Sequence, residues 1–168
     1  MNGARRTPFG VCAALAVLAA WPMALPAAVS CTVSGVGPAF GTYNLLSAAP
    51  TYANGQLTVT CTLTGPRGRG RGTVTPVWSA STGASGGYGA RWMLSGSNRL
   101  NYNLYLDPAY TLLWGDGTGG SQTGSARLRL RRRSPTQSVT APIYGRIPAL
   151  QSPAAGTFAD TLIVTVTY

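Results

Sequence analysis

Hydrophobic side chains recur at every second position in several short stretches of this chain. Leu57-Thr58-Val59-Thr60-Cys61-Thr62-Leu63 alternates apolar and polar residues with the period of a half-buried strand, and Leu100-Asn101-Tyr102-Asn103-Leu104-Tyr105-Leu106 does the same. Ala126 to Arg131 alternates too, Val74 to Ser79 and Arg91 to Leu94 are weaker strands, and Ser138 to Ile147 reads as a strand broken by Pro142 and Gly145. The last run, Thr161 to Tyr168, is the clearest. Phe158, Leu162, Val164, Val166 and Tyr168 fall on one face and Thr161, Thr165 and Thr167 on the other, with Ile163 the exception on the polar side. Turn clusters separate these runs at Ala53-Asn54-Gly55, Gly65 to Gly72, Gly83 to Gly89, Gly115 to Gly124 and Ser152 to Gly156. No stretch keeps a helical period. The pattern predicts about seven or eight short strands in one all-β domain, an antiparallel sandwich without linker or internal repeat.

The N-terminal segment has a different order. Arg5 and Arg6 precede an apolar stretch from Phe9 to Trp21, Pro22 and Pro26 end it, and small residues follow at Ala27, Ala28 and Ser30. A basic start, an apolar middle and a small-residue end describe a secretory signal peptide over residues 1–28, with cleavage between Ala27 and Ser30 and a single domain over residues 29–168. The apolar stretch is short for a membrane span, and the prolines weaken that reading further. A lipoprotein box is disfavoured because alanine stands where a bulky aliphatic residue is usual, and Thr7-Pro8 is poor context for twin-arginine export.

Composition narrows the chemistry. The chain has 22 glycines, 12 prolines and only 10% charged residues, which suits short strands and tight turns. All 13 basic residues are arginine; the only acids are Asp107, Asp116 and Asp160, and there is no histidine, lysine or glutamate. A histidine general base, a Ser-His-Asp or Cys-His nucleophile, a histidine-ligated metal and a Schiff-base lysine are all excluded. We expect no catalytic residue, no metal and no cofactor. Asp107 and Asp116 flank Tyr110 and Trp114, but Asx turns explain these two carboxylates better than a catalytic pair, and Asp160 reads as a turn or cap group. Trp78, Trp92, Trp114, Tyr102 and Tyr105 read as core or sheet-face packing rather than a sugar platform.

Removing the leader takes away Arg5, Arg6 and Cys12. The net charge falls from +10 to +8, and the three cysteines become two. An even pair in an exported chain reads as one disulfide, Cys31 to Cys61. Closing a loop of this length stabilises by about 3.6 kcal/mol in the chain-entropy account. Two arginine clusters remain: Arg67, Arg69 and Arg71 in a glycine-rich loop, and Arg127, Arg129, Arg131 and Arg133 on one face of a strand whose leucines occupy the other. That face is either simply solvated or a means of attachment to anionic surfaces such as phosphorylated or carboxylated polymers. Export makes specific nucleic-acid readout unexpected.

The terminal strand raises the question of its neighbour. It ends without a closing turn, and a long uncovered edge is an aggregation hazard. It is either an ordinary last strand or one whose edge receives a strand from another chain. A final aromatic residue with apolar residues at alternate positions also suits a small outer-membrane β-barrel, although arginines facing lipid would cost about 2–4 kcal/mol each.

The residues from Cys31 to Tyr168 resemble the spore coat U domain family, which includes subunits of archaic chaperone–usher pili. The resemblance is carried by Cys31-Thr32-Val33, Phe40-Gly41-Thr42-Tyr43, Gly55-Gln56-Leu57-Thr58-Val59-Thr60-Cys61, Leu100 to Tyr105, Trp114-Gly115-Asp116-Gly117, Tyr144-Gly145-Arg146-Ile147 and Gly156 to Tyr168, in that order and spacing. It implies an immunoglobulin-like sandwich that is incomplete, missing its last strand. A periplasmic chaperone would hold the subunit through that gap, and an outer-membrane usher would export it. In the fibre, the N-terminal extension of the next pilus subunit would fill the gap. Leu162, Val164, Val166 and Tyr168 would then belong to the donor-strand groove, with the Tyr168 carboxylate an anchor for a basic residue of the chaperone. Only a few residues separate the expected cleavage site from Cys31, so the subunit would accept a donor strand without offering one, as a tip or cap does. The location implied is export through the periplasm to a surface fibre or the medium. The alternative is a free-standing secreted coat or surface-binding protein.

Overall fold

The computed structural model describes residues 28–64 and 72–168. The expected signal segment and the loop carrying Arg67, Arg69 and Arg71 lie outside the described residues. Among the described residues ten strands form: β1 (Ala28–Val36), β2 (Thr51–Thr64), β3 (Gly72–Val74), β4 (Val77–Ala80), β5 (Arg91–Ser95), β6 (Asn98–Tyr105), β7 (Gly124–Ser125), β8 (Leu128–Leu130), β9 (Thr136–Ile147) and β10 (Val164–Thr167). They make a five-stranded sheet in the order β1-β2-β9-β6-β5, a three-stranded sheet β10-β4-β7 and a two-stranded sheet β3-β8. Every strand pairing is antiparallel. Among the described residues no sheet closes on itself, as in a sandwich.

The alternation of the sequence becomes the two faces of the large sheet. On β2, Leu57, Val59 and Cys61 are buried. The threonines between them point outward and form a ladder with β9: Thr58 bonds Thr140 at 3.0 Å, Thr60 bonds Ser138 at 2.8 Å and Thr62 bonds Thr136 at 3.0 Å. Such cross-strand hydroxyl pairs fix register from the solvent side while the apolar residues fix it from the core. Leu100, Tyr102 and Leu104 of β6, Ile143 and Ile147 of β9, and Trp78 and Ala80 of β4 join one buried cluster with Leu128 and Leu130 of β8.

Several expectations are corrected. Ala53-Asn54-Gly55 is not a turn but the interior of β2. Its glycine answers a close approach: a Cβ on Gly55 would stand 2.4 Å from the Val36 carbonyl oxygen and 2.9 Å from Pro38 N. Ser138 to Ile147 is not interrupted, because β9 runs unbroken through Pro142 and Gly145. Pro142 pairs with Gln56 on one side only, since β6 meets β9 solely at residues 144–146, so its missing N–H is tolerated. Gly145 leaves room for Phe40, whose ring would lie 2.6 Å from a Cβ there. Val74 to Ser79 divides at Thr75-Pro76 into β3 and β4, which belong to different sheets. The terminal strand is shorter than its pattern, with ladder pairing confined to Val164–Thr167. β1 has no strong alternation of its own; β2 supplies its partner.

Candidate interaction groove

Among the described residues β1 is bonded only to β2, and β10 only to β4, so the five-stranded and three-stranded sheets each end on a strand with one free edge. Between these edges lies a cavity of about 570 Å³. Residues 33–38 form one wall and Leu162 and Val164 the other. The floor is made of Leu57, Tyr102, Leu104, Trp114 and Ile143, all buried core residues. A second cavity of similar size lies beside it, between the segments 38–45 and 153–158, and shares Pro38, Phe40, Met93 and Phe158 with the first. The core is therefore open along one side, with apolar residues where the next layer of a sandwich would sit. Val36 and Ile163, 69% and 70% exposed, stand near its rims.

The polar end of this opening is built around Asp160, which lines the first cavity. Its Oδ2 accepts from the Tyr102 hydroxyl at 2.7 Å, and its Oδ1 accepts from the backbone N–H of Ala84 at 3.1 Å and of Thr161 at 2.9 Å. Burial, then the bond to Asp160, pushes the Tyr102 phenol above its ordinary value. Nearby, Arg91 is completely buried. Its guanidinium donates to the carbonyls of Ser81 at 2.9 Å and Trp114 at 2.7 Å and packs 5.0 Å from the Tyr88 ring. Burial lowers its pKa. Arg91 was not singled out in the sequence, yet its signal was there: it shares the inward phase of Met93 on β5.

The other sequence-selected residues are distributed as follows. Cys31 and Cys61 are direct partners across β1 and β2 and form the disulfide. Val164 and Val166 share the half-buried face of β10, with Val166 opposite Trp78 on β4; Tyr168 follows the strand and is 56% exposed. Of these, only Leu162 and Val164 line the cavity, while Val166 and Tyr168 lie outside it. Arg127, Arg129, Arg131 and Arg133 are all exposed, and Leu128 and Leu130 are buried. The four arginines do not share one strand face: β8 stops at Leu130, Arg131 bridges Ser134, and Arg132 and Arg133 form the turn between. Asp107 and Asp116 do the work of Asx turns. Asp107 accepts from Thr111 N and Oγ1 and Leu112 N, and Asp116 from Thr118 N and Oγ1. Asp160, expected as a cap, does cap Ala84 but also anchors Tyr102.

Residues 17–165 match the Spore Coat Protein U domain. A relative, "Protein U" of Myxococcus xanthus, is 30% identical over 138 residues, covering 77% of this chain and 70% of its own. Among solved structures, the fold is similar to one from the chaperone–tip adhesion subunit pre-assembly complex CsuC–CsuE of the archaic chaperone–usher Csu pili of Acinetobacter baumannii, with a TM-score of 0.53 and 18% identity. That match covers 84% of this chain, which spans 40% of the other chain's length. At this identity the likeness speaks for the fold, an antiparallel immunoglobulin-like β-sandwich.

Proposed function

The chain belongs to the Spore Coat Protein U domain family, and from that premise we propose that it is an exported, non-enzymatic subunit of a chaperone–usher surface fibre. The observation that carries this reading is the apolar cavity between β1 and β10, floored by core residues and flanked by two unpaired strand edges. A strand entering there would bond its backbone to a free edge and bury alternate side chains against Leu57, Leu104, Leu162 and Val164. A periplasmic chaperone would supply that strand first and a neighbouring subunit later, with an outer-membrane usher between the two steps.

Co-expression with a chaperone of this class is the test. The chain accumulates in the periplasm as a complex with the chaperone, and Leu162→Asp or Val164→Asp abolishes the complex. A chain that is monomeric and fully stable alone, with the cavity variants harmless, overturns the reading in favour of a free-standing coat protein.

Two finer readings go with it. Residues 28–36 are all paired with β2, so any donor strand has to come from residues ahead of Ala28. Cleavage between Ala27 and Ser30 leaves no such stretch and makes the subunit a tip or cap; N-terminal sequencing that finds cleavage near Ala14 removes this assignment. The exposed arginines Arg127, Arg129, Arg131 and Arg133 form an attachment surface for anionic polymers. Replacing Arg129, Arg131 and Arg133 with serine lowers retention on anionic beads at low salt, and unchanged retention contradicts that role.

A further inference from the structure

Four tyrosines meet on the outer face of the large sheet, away from the groove. Tyr52 is the second residue of β2, Tyr144 lies on β9, Tyr105 ends β6, and Tyr110 folds over them from the following loop. The Tyr110 ring lies 4.7 Å from Tyr52 at a tilt, and 5.5 Å from Tyr105 and 6.2 Å from Tyr144 edge-on. Register explains the meeting: Tyr105 is opposite Tyr144, Asn54 is opposite Tyr144 on the other side, and Tyr52 is opposite Arg146. Alternation turns all of these away from Ile143, Gly145 and Ile147, which are buried.

The loop is held to make this arrangement. Tyr110 has φ 58, a left-handed conformation that non-glycine residues rarely adopt, and the Asp107 carboxylate ties down the next two residues through Thr111 and Leu112. Unlike the hydroxyls of Tyr43 and Tyr102, which are bonded to Pro148 O and Asp160, those of Tyr52, Tyr105, Tyr110 and Tyr144 have no hydrogen-bond partner among the described residues. Arg146 beside them has a buried Nε without a partner. The three aspartates are bonded to groups other than Arg146: Asp107, in this same loop, to Thr111 and Leu112, Asp116 to Thr118 and Asp160 to Tyr102.

We propose that Tyr52, Tyr105, Tyr110, Tyr144 and Arg146 form a binding site for an acidic polysaccharide. Phenol rings present apolar faces to the C–H side of a pyranose and hydroxyls to its oxygens, and Arg146 supplies the cation that a sugar carboxylate needs. A cationic ligand, the other common guest of an aromatic cluster, is disfavoured by Arg146 and by a net charge that stays at +8 without the leader's two arginines.

Affinity electrophoresis of the purified full-length chain through gels containing polygalacturonate, or neutral dextran as control, tests the site. Polygalacturonate retards the chain more than dextran does. Tyr52→Ala, a change at a half-exposed ring, weakens the effect about tenfold, and Arg146→Gln lowers the preference for the acidic polymer in a chain that keeps Arg129, Arg131 and Arg133. Retardation that survives Tyr52→Ala and Tyr110→Ala but disappears when Arg129, Arg131 and Arg133 are replaced overturns the proposal, because charge on the β8 turn then accounts for binding. Equal retardation by both polymers also overturns it. Neither result touches the groove reading, whose test is chaperone capture.

Discussion

Arg91 shows what a single residue can decide. A guanidinium without solvent contact is costly unless its donors are used, and here it joins the ends of two segments by holding the carbonyls of Ser81 and Trp114. Arg91→Leu keeps the volume roughly but leaves both carbonyls without that donor. We expect a loss of about 3 kcal/mol in chemical denaturation with the disulfide intact. Arg91→Lys recovers only part of it, because an ammonium lacks the planar fork. In the sequence Arg91 only opens a weak strand; the phase it shares with Met93 was the one hint that it faces inward. The same limit applies to the tyrosines. Tyr105 reads as packing from its alternation, and the ring that gathers its neighbours, Tyr110, sits in a loop where periodicity says nothing. Asp107 and Asp116 were legible as turn residues because an Asx turn is local and needs no distant partner.

At the scale of the element, legibility follows how much of a strand's environment is local. β2 and β6 announce themselves because one face is core and the other water. β9 was legible but read as broken at Pro142 and Gly145, two residues whose strand-breaking character is cancelled by a one-sided pairing and by Phe40. β1 owes its pairing to a partner, and a one-dimensional pattern cannot report that, whereas the alternation of Ala126 to Arg131 did announce β8, Leu128–Leu130. The β2–β9 pair also separates two kinds of stabilisation. Thr58→Ala, Thr60→Ala and Thr62→Ala are each expected to cost about 0.5 kcal/mol, since their hydroxyl pairs are exposed. Leu57→Ala, from the buried side of the same strand, costs about 3 kcal/mol. Urea titrations of the four variants check this order, and equal losses would contradict it.

For the molecule as a whole, ionisation sets a limit at alkaline pH. The phenols of Tyr88, Tyr102 and Tyr110 are all raised above 10.0, in each case chiefly by burial. Below pH 10 these groups are protonated whether the chain is folded or not, and their contribution to stability is intact. Above it the unfolded chain ionises first, so stability is lost as pH rises from about 10 through the folded values. Melting temperature should hold between pH 8 and 9.5 and fall beyond 10, and Tyr102→Phe should flatten the fall. A profile without curvature would contradict the placement of these rings. That the molecule is an antiparallel sandwich was legible from strand count and spacing, and that one side is open was implied by the family resemblance. The resemblance pointed to the β10 side of that opening; the β1 side, residues 33–38, was not legible, because it depends on two segments from opposite ends of the chain coming together.

The disulfide has a mechanical consequence. Cys31 and Cys61 join neighbouring strands across a separation of 30 residues. When the chain is pulled from its ends, those residues form a closed ring that cannot pay out, and tension crosses from β1 to β2 through a covalent bond. Reducing the bond should add about 100 Å to the unfolded length in a single-molecule stretch. An oxidised domain drawn taut therefore gives up its sheets before it gives up that slack.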